Sequence, residues 1–122
     1  MLGVVRPLLL ELQRNYAALD ELRQEFGQHA TRLKRYGILI EGHRLEAEIG
    51  DLLARMQVDI EAIHALGIDL KNIEWGLIDF PAMRDGEVVY LCYRLDEAEI
   101  SAWHPLDSGY AGRQPLDDRF NT

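Results

Sequence analysis

Trp75-Gly76-Leu77-Ile78-Asp79-Phe80-Pro81-Ala82-Met83 and Val88-Val89-Tyr90-Leu91-Cys92-Tyr93-Arg94-Leu95, with Asp85-Gly86 between them, decide the architecture of this chain. Two runs rich in β-branched and aromatic residues around an Asp-Gly pair are a strong local signal for a β-hairpin, because the central residues of its tight turn take positive φ. Placing Asp85 and Gly86 in the loop sets the register: Arg84 opposite Glu87, Pro81 opposite Tyr90, Phe80 opposite Leu91, Asp79 opposite Cys92, Ile78 opposite Tyr93 and Leu77 opposite Arg94. Side chains alternate along a strand, so Ile78, Phe80, Ala82, Val89, Leu91 and Tyr93 form one apolar face that must cover a core. The opposite face is mixed, with Asp79, Cys92 and Arg94, and Asp79 sits diagonally within reach of Arg94. Pro81 points away from its partner strand with no N–H to donate, which makes its strand an edge on that side.

Upstream, Val5, Leu12, Leu19, Phe26 and Leu33 recur every seven residues, and Leu8, Asn15, Leu22, His29 and Tyr36 follow three positions behind them. That is the seam of a long helix from about residue 5 to 36, with Pro7 tolerated in its first turn. Gly37 and Gly42 interrupt the pattern. A second seam of Leu45, Ile49, Leu52, Met56, Ile63 and Leu66, widened by Leu53 and Ile60, runs from about 43 to 66 and stops before Gly67, a left-handed cap with Ile68 as its hydrophobic contact. At 1.5 Å per residue the helices are roughly 48 and roughly 35 Å long. The second cannot cover the whole seam of the first, and a homodimer through the helices would close the remainder around Val5, Leu8 and Leu12.

Downstream, the sequence predicts a short strand or helical turn near Ile100 to His104, an ordered loop to Leu116 and a frayed end over 117–122. The expected fold is therefore α+β, a single domain over 1–122: an antiparallel helical hairpin (about 5–66), then a small antiparallel β-sheet and motif loop (about 73–116). Thirteen Lys and Arg against 21 Asp and Glu, a net charge of −8, speak against nucleic acid as a partner. Leu8-Leu9-Leu10 is far too short to span a bilayer and the start is no secretory signal, so no membrane and a cytoplasmic location are expected.

The segments Gly76 to Ala82, Tyr90 to Leu95, and Trp103-His104 through Gly109-Tyr110-Ala111-Gly112-Arg113-Gln114-Pro115-Leu116 resemble a family of uncharacterised bacterial proteins, domain of unknown function 2203. Members usually begin with a Phe-Thr-x-x-Glu-Ala-Asn segment, whereas this chain opens at Met1-Leu2-Gly3. The resemblance brings no activity. It implies that Asp79, Arg94, His104, Gly112 and Arg113 belong to a shared motif.

Asp79, Arg94, Glu97, Glu99, His104 and Arg113 are the candidate polar cluster, since carboxylates, an imidazole and guanidinium forks are the parts of acid/base, metal or anion chemistry. Three readings stand open: an ion-pair network pinning the tail loop to the sheet, with Asp79 and Arg94 coupled; a metal site on Asp79, His104 and a glutamate; or an anion site on Arg94 and Arg113 with the amides of the Gly109 to Gly112 loop. Glu61 and His64 match a Glu-x-x-His di-iron motif but lie away from the inward stripe of their helix. Asn15 and His29 read as register-setting seam residues, and Cys92, with no His or second Cys nearby in sequence, as an inert sheet residue. No P-loop, nucleophile elbow or dinucleotide motif occurs, and no cofactor is expected beyond a divalent metal in the second reading. The functional expectation is a non-catalytic binding or interaction module that self-associates. The alternative is a metal- or anion-binding protein, or a small enzyme with an unidentified small-molecule ligand, built on Asp79, Arg94, His104 and Arg113.

Overall fold

The computed structural model describes residues 1–36 and 40–121, with side chains for 1–28 and 43–120. Helix α1 (Leu2–Tyr36) and helix α2 (Ile40–Ala65) lie against one another as the expected hairpin. The seam side chains His29, Leu33 and Tyr36 and the break at Gly37 lie outside the described residues; Gly42, expected to interrupt the helices, instead lies inside α2, which begins at Ile40 rather than near 43. Six strands follow: β1 (Asp69–Asn72), β2 (Leu77–Arg84), β3 (Glu87–Tyr93), β4 (Ala102–Pro105), β5 (Gln114–Pro115) and β6 (Phe120–Asn121). They form one antiparallel sheet in the order β1-β2-β3-β4-β5, with β6 also pairing β2. The fold is α+β, a helical hairpin followed by a small sheet.

The β2–β3 register is the one that Asp85-Gly86 dictates, from Arg84↔Glu87 to Ile78↔Tyr93. Asp85 (φ 51°) and Gly86 (φ 80°) both take the positive φ that a type I′ turn needs. The Leu77–Arg94 pair does not form, because β3 ends at Tyr93 and the chain turns there, with the Glu97 amide on the Arg94 carbonyl at 2.8 Å. Pro81 corrects the expectation of an edge strand. β1 pairs β2 at Leu77, Ile78 and Asp79, and β6 pairs it at Met83 and Arg84, so the outer side of β2 is open only around the proline, which has no N–H to offer.

The apolar face of the sheet covers the helices as expected, and Val5, Leu9, Leu12, Leu19, Leu52, Met56 and Ile63 share one core with Ile78, Phe80, Tyr93 and Leu95. Leu9, outside the strict heptad seam, is as buried as Leu12, because α1 faces both α2 and the sheet and needs a wider stripe than a two-helix seam. This removes the argument for a dimer from an uncovered seam: Val5 and Leu12 are fully buried within the chain and Leu8 packs against the same core. Leu53, expected to widen the stripe of α2, faces outward. The end of the chain also differs from expectation. Phe120 pairs with Arg84 in the sheet and stands edge-on to Trp103 at 6.1 Å, and Asp117 holds Arg84 at 2.7 Å. Among the described residues, no helix is long and apolar enough to cross a membrane.

Candidate metal centre

The mixed face of the sheet follows from the pairing. Asp79 stands opposite Cys92 between β2 and β3, and one row along, Pro81 stands opposite Tyr90, which in turn faces His104 of β4. Asp79, Cys92 and His104 thus converge from three adjacent strands. Their donor atoms all lie within 4.8 Å of one another. Each side chain is buried, with relative exposures of 3, 1 and 2%. A cavity of about 230 Å³ opens above them, walled by Lys71, Tyr90, Leu106, Ser108 and Tyr110.

The hydrogen bonds orient the histidine. Its Nδ1 donates to the Pro105 carbonyl at 2.9 Å, which leaves Nε2 facing the Asp79 carboxyl at 3.0 Å. A carbonyl only accepts, so the tautomer is set, and Nε2 needs one proton, or a cation in its place, to meet a carboxylate oxygen. Tyr90 packs on the ring at 5.5 Å. Burial pushes the Cys92 thiol up to about 11; Arg113 opposes the shift, while Asp79 and Glu97 add to it. Without a cation on it, this sulfur is an un-ionised thiol and a poor nucleophile.

The expected polar cluster divides in two. Asp79 and His104 meet, with Cys92 as the third member that sequence reasoning set aside. The signal was present in the Asp79–Cys92 register, and lacked only the pairing of β4 that brings His104 alongside. Arg94, expected to couple to Asp79, instead grips Asp96 at 2.6 and 2.8 Å and the Tyr110 hydroxyl at 3.1 Å, because the chain leaves the sheet at Arg94. Glu97 is the hub of the second group. It accepts the Arg94 amide at 2.8 Å, both contacts of Arg113 at 2.9 Å and the Ser101 hydroxyl at 3.2 Å. Glu99 is exposed and joins neither. In the Gly109, Gly112 and Arg113 loop, the amides of Gly112 and Arg113 are spent on the carbonyls of Gly109 and Tyr110, and the Arg113 guanidinium is taken by Glu97, which leaves less of the expected anion site than the residues suggested. Glu61 and His64 are both exposed on α2, away from any shared site.

A family model described as "Uncharacterized conserved protein (DUF2203)" matches residues 1–116. The chain belongs to this family. The DUF2203 match takes in both helices, the metal-type trio and the Glu97 group, and stops short of β6. No curated protein and no solved structure matches the chain.

Proposed function

We propose that this protein binds a divalent transition-metal ion, of the zinc or iron kind, through the Asp79 carboxylate, the Cys92 sulfur and His104 Nε2, with a further coordination position open to the cavity above. The carrying observation is the convergence of an oxygen, a sulfur and a nitrogen donor within 4.8 Å in a buried setting. Donors on tetrahedral zinc stand about 3.3 to 3.8 Å apart for bonds of about 2.0 to 2.3 Å, so the His104–Asp79 pair at 3.0 Å must open slightly and a separation of up to 4.8 Å must close by about 1 to 1.5 Å. The carbonyl on His104 Nδ1 is the outer support that orients a ligating imidazole. A dication would replace the proton between His104 and Asp79 and the proton on Cys92, which satisfies all three groups at once. The net charge of −8 favours the approach of cations. A thiol ligand of this kind suits the cytoplasm, where thiols stay reduced.

Metal analysis of the purified protein, followed by cobalt(II) titration of the metal-free form, tests the reading. One ion per chain is expected, with a sulfur-to-cobalt charge-transfer band that disappears in Cys92→Ser and weakens in Asp79→Asn. Wild-type protein that takes up no metal, or a Cys92→Ser variant that binds as wild type does, would leave Asp79 and His104 as a structural pair.

A further inference from the structure

A second cavity, of about 460 Å³, lies where the start of α1 meets the turn between β1 and β2 and the turn after β3, separated from the first by the contact of Trp75 with Tyr110. Arg6, Leu10, Trp75 and Leu95 line it, together with two carboxylates that have partners of their own, Glu74 accepting from the Tyr16 hydroxyl and Asp96 from Arg94. Its volume is in the range of small-molecule sites.

The four half-buried arginines of the described residues are not alike. Arg84 has Asp117, Arg94 has Asp96 and Arg113 has Glu97. Arg6 has no carboxylate among the described residues. Its Nη1 donates to the Tyr93 hydroxyl and to the carbonyls of Leu95 and Glu97 at 3.3 and 3.2 Å, all neutral acceptors. Its Nε and Nη2 have no partner among the described residues. A guanidinium anchored at one corner and uncompensated at the other is a fixed fork for an anion, and two parallel N–H donors match a carboxylate.

The wall beside it is an indole held in place. Trp75 is 52% exposed, yet its amide is fixed to Asn72 Oδ1 at 2.9 Å and its ring lies 6.0 Å from that of Tyr110. Gly76 behind it packs so closely on Leu95 that an added Cβ would stand 2.5 Å from the Leu95 Cβ, and the Leu95 amide donates to the Trp75 carbonyl at 3.4 Å, so the turn is docked on the chain after β3. A rigid aromatic surface left half open is an apolar platform for a planar body.

We infer that this cavity binds a small organic acid, its carboxylate on the free edge of Arg6 and its planar apolar body against Trp75. The inference stands apart from the metal reading, since no residue of the trio lines this cavity.

Sodium benzoate is the probe, titrated into a Trp103→Phe background in which Trp75 is the fluorescent reporter. Saturable quenching by benzoate is expected. Benzamide, equal in shape but neutral, and inorganic phosphate, charged but without a planar body, should each bind at least about tenfold more weakly. Arg6→Gln should remove the preference for benzoate over benzamide, and Trp75→Leu, at an exposed side chain, should weaken benzoate in calorimetry while circular dichroism stays unchanged. If Arg6→Gln does not fold, the benzamide comparison and Trp75→Leu decide. The inference is overturned if benzamide or phosphate binds as well as benzoate, or if Trp75→Leu binds benzoate as wild type does.

Discussion

His104 has the proton on Nδ1 fixed by the Pro105 carbonyl, and the consequences can be measured. Because Nδ1–H is committed to Pro105, the contact with Asp79 needs a donor on one side or the other. In metal-free protein, Asp79→Ala strands a buried ring nitrogen and should cost about 1 to 3 kcal/mol in urea denaturation, whereas Asp79→Asn can donate an amide N–H to Nε2 and should cost less. Cys92 makes a separate prediction. Its folded-state pKa is raised from 9.0 to about 11, chiefly by burial, so the fold favours the protonated thiol. That stabilisation is full below pH 9 and is lost as pH climbs through 11, an amount of about 3 kcal/mol for metal-free wild type. Cys92→Ala should show none of that extra loss, and parallel stability curves for the two proteins across this window would refute it.

At the level of elements, the last strand is short but well anchored. β6 brings Phe120 to Trp103, Asp117 holds Arg84, whose guanidinium also lies 4.3 Å over the Trp103 ring, and the Asp85 amide donates to the Arg119 carbonyl at 3.2 Å. Ending the chain at Leu116 should cost about 1 to 2 kcal/mol, the loss of a partly buried ion pair and an aromatic contact, and should abolish hydrogen-exchange protection of the Asp85 amide. The helix pair carries a different kind of feature. Asp59 is buried with Oδ2 unpartnered, and burial first, then Glu11, raises its pKa. A raised carboxyl pKa means stability that is present at acid pH and lost as the group ionises, so Asp59→Asn should raise the melting temperature at pH 7 and leave it unchanged at strongly acid pH. The long elements were legible in the sequence because their signals are local: seven-residue spacing for α1 and α2, and alternation around Asp-Gly for β2 and β3. Asp69-Leu70-Lys71-Asn72 and Phe120-Asn121 carry no such pattern. They are strands because β2 offers them open backbone, which is a tertiary fact. The site divides in the same way, for Asp79 and Cys92 were neighbours in the derived register, while Arg94 was misplaced because nothing in its own stretch announces that the chain leaves the sheet there.

Over the whole molecule, one core joins both helices to one face of the sheet, and Leu12 lies within it. Leu12→Ala should therefore cost about 2 to 5 kcal/mol in a single unfolding transition followed by both fluorescence and circular dichroism; separate transitions for the two signals would mean that helices and sheet are not one cooperative unit. The sheet that completes this core also has short, interrupted borders. β1 is four residues long and carries two charges, Asp69 and Lys71, β5 is two residues long and ends in Pro115, and the outer side of β2 is divided by Pro81 into lengths already taken by β1 and β6. Among the described residues the open edges belong to short strands, the four residues of β1 being the longest, so the rim offers little backbone to another chain and the fold resists recruitment into fibrils there. The two-residue strand at the end of the chain is the removable part of that barrier. Losing it uncovers the half of β2 that carries Met83, next to an exposed Val88, and the first sign of damage in such a shortened protein would be slow, concentration-dependent growth of thioflavin-positive aggregates at temperatures where the monomer is still folded.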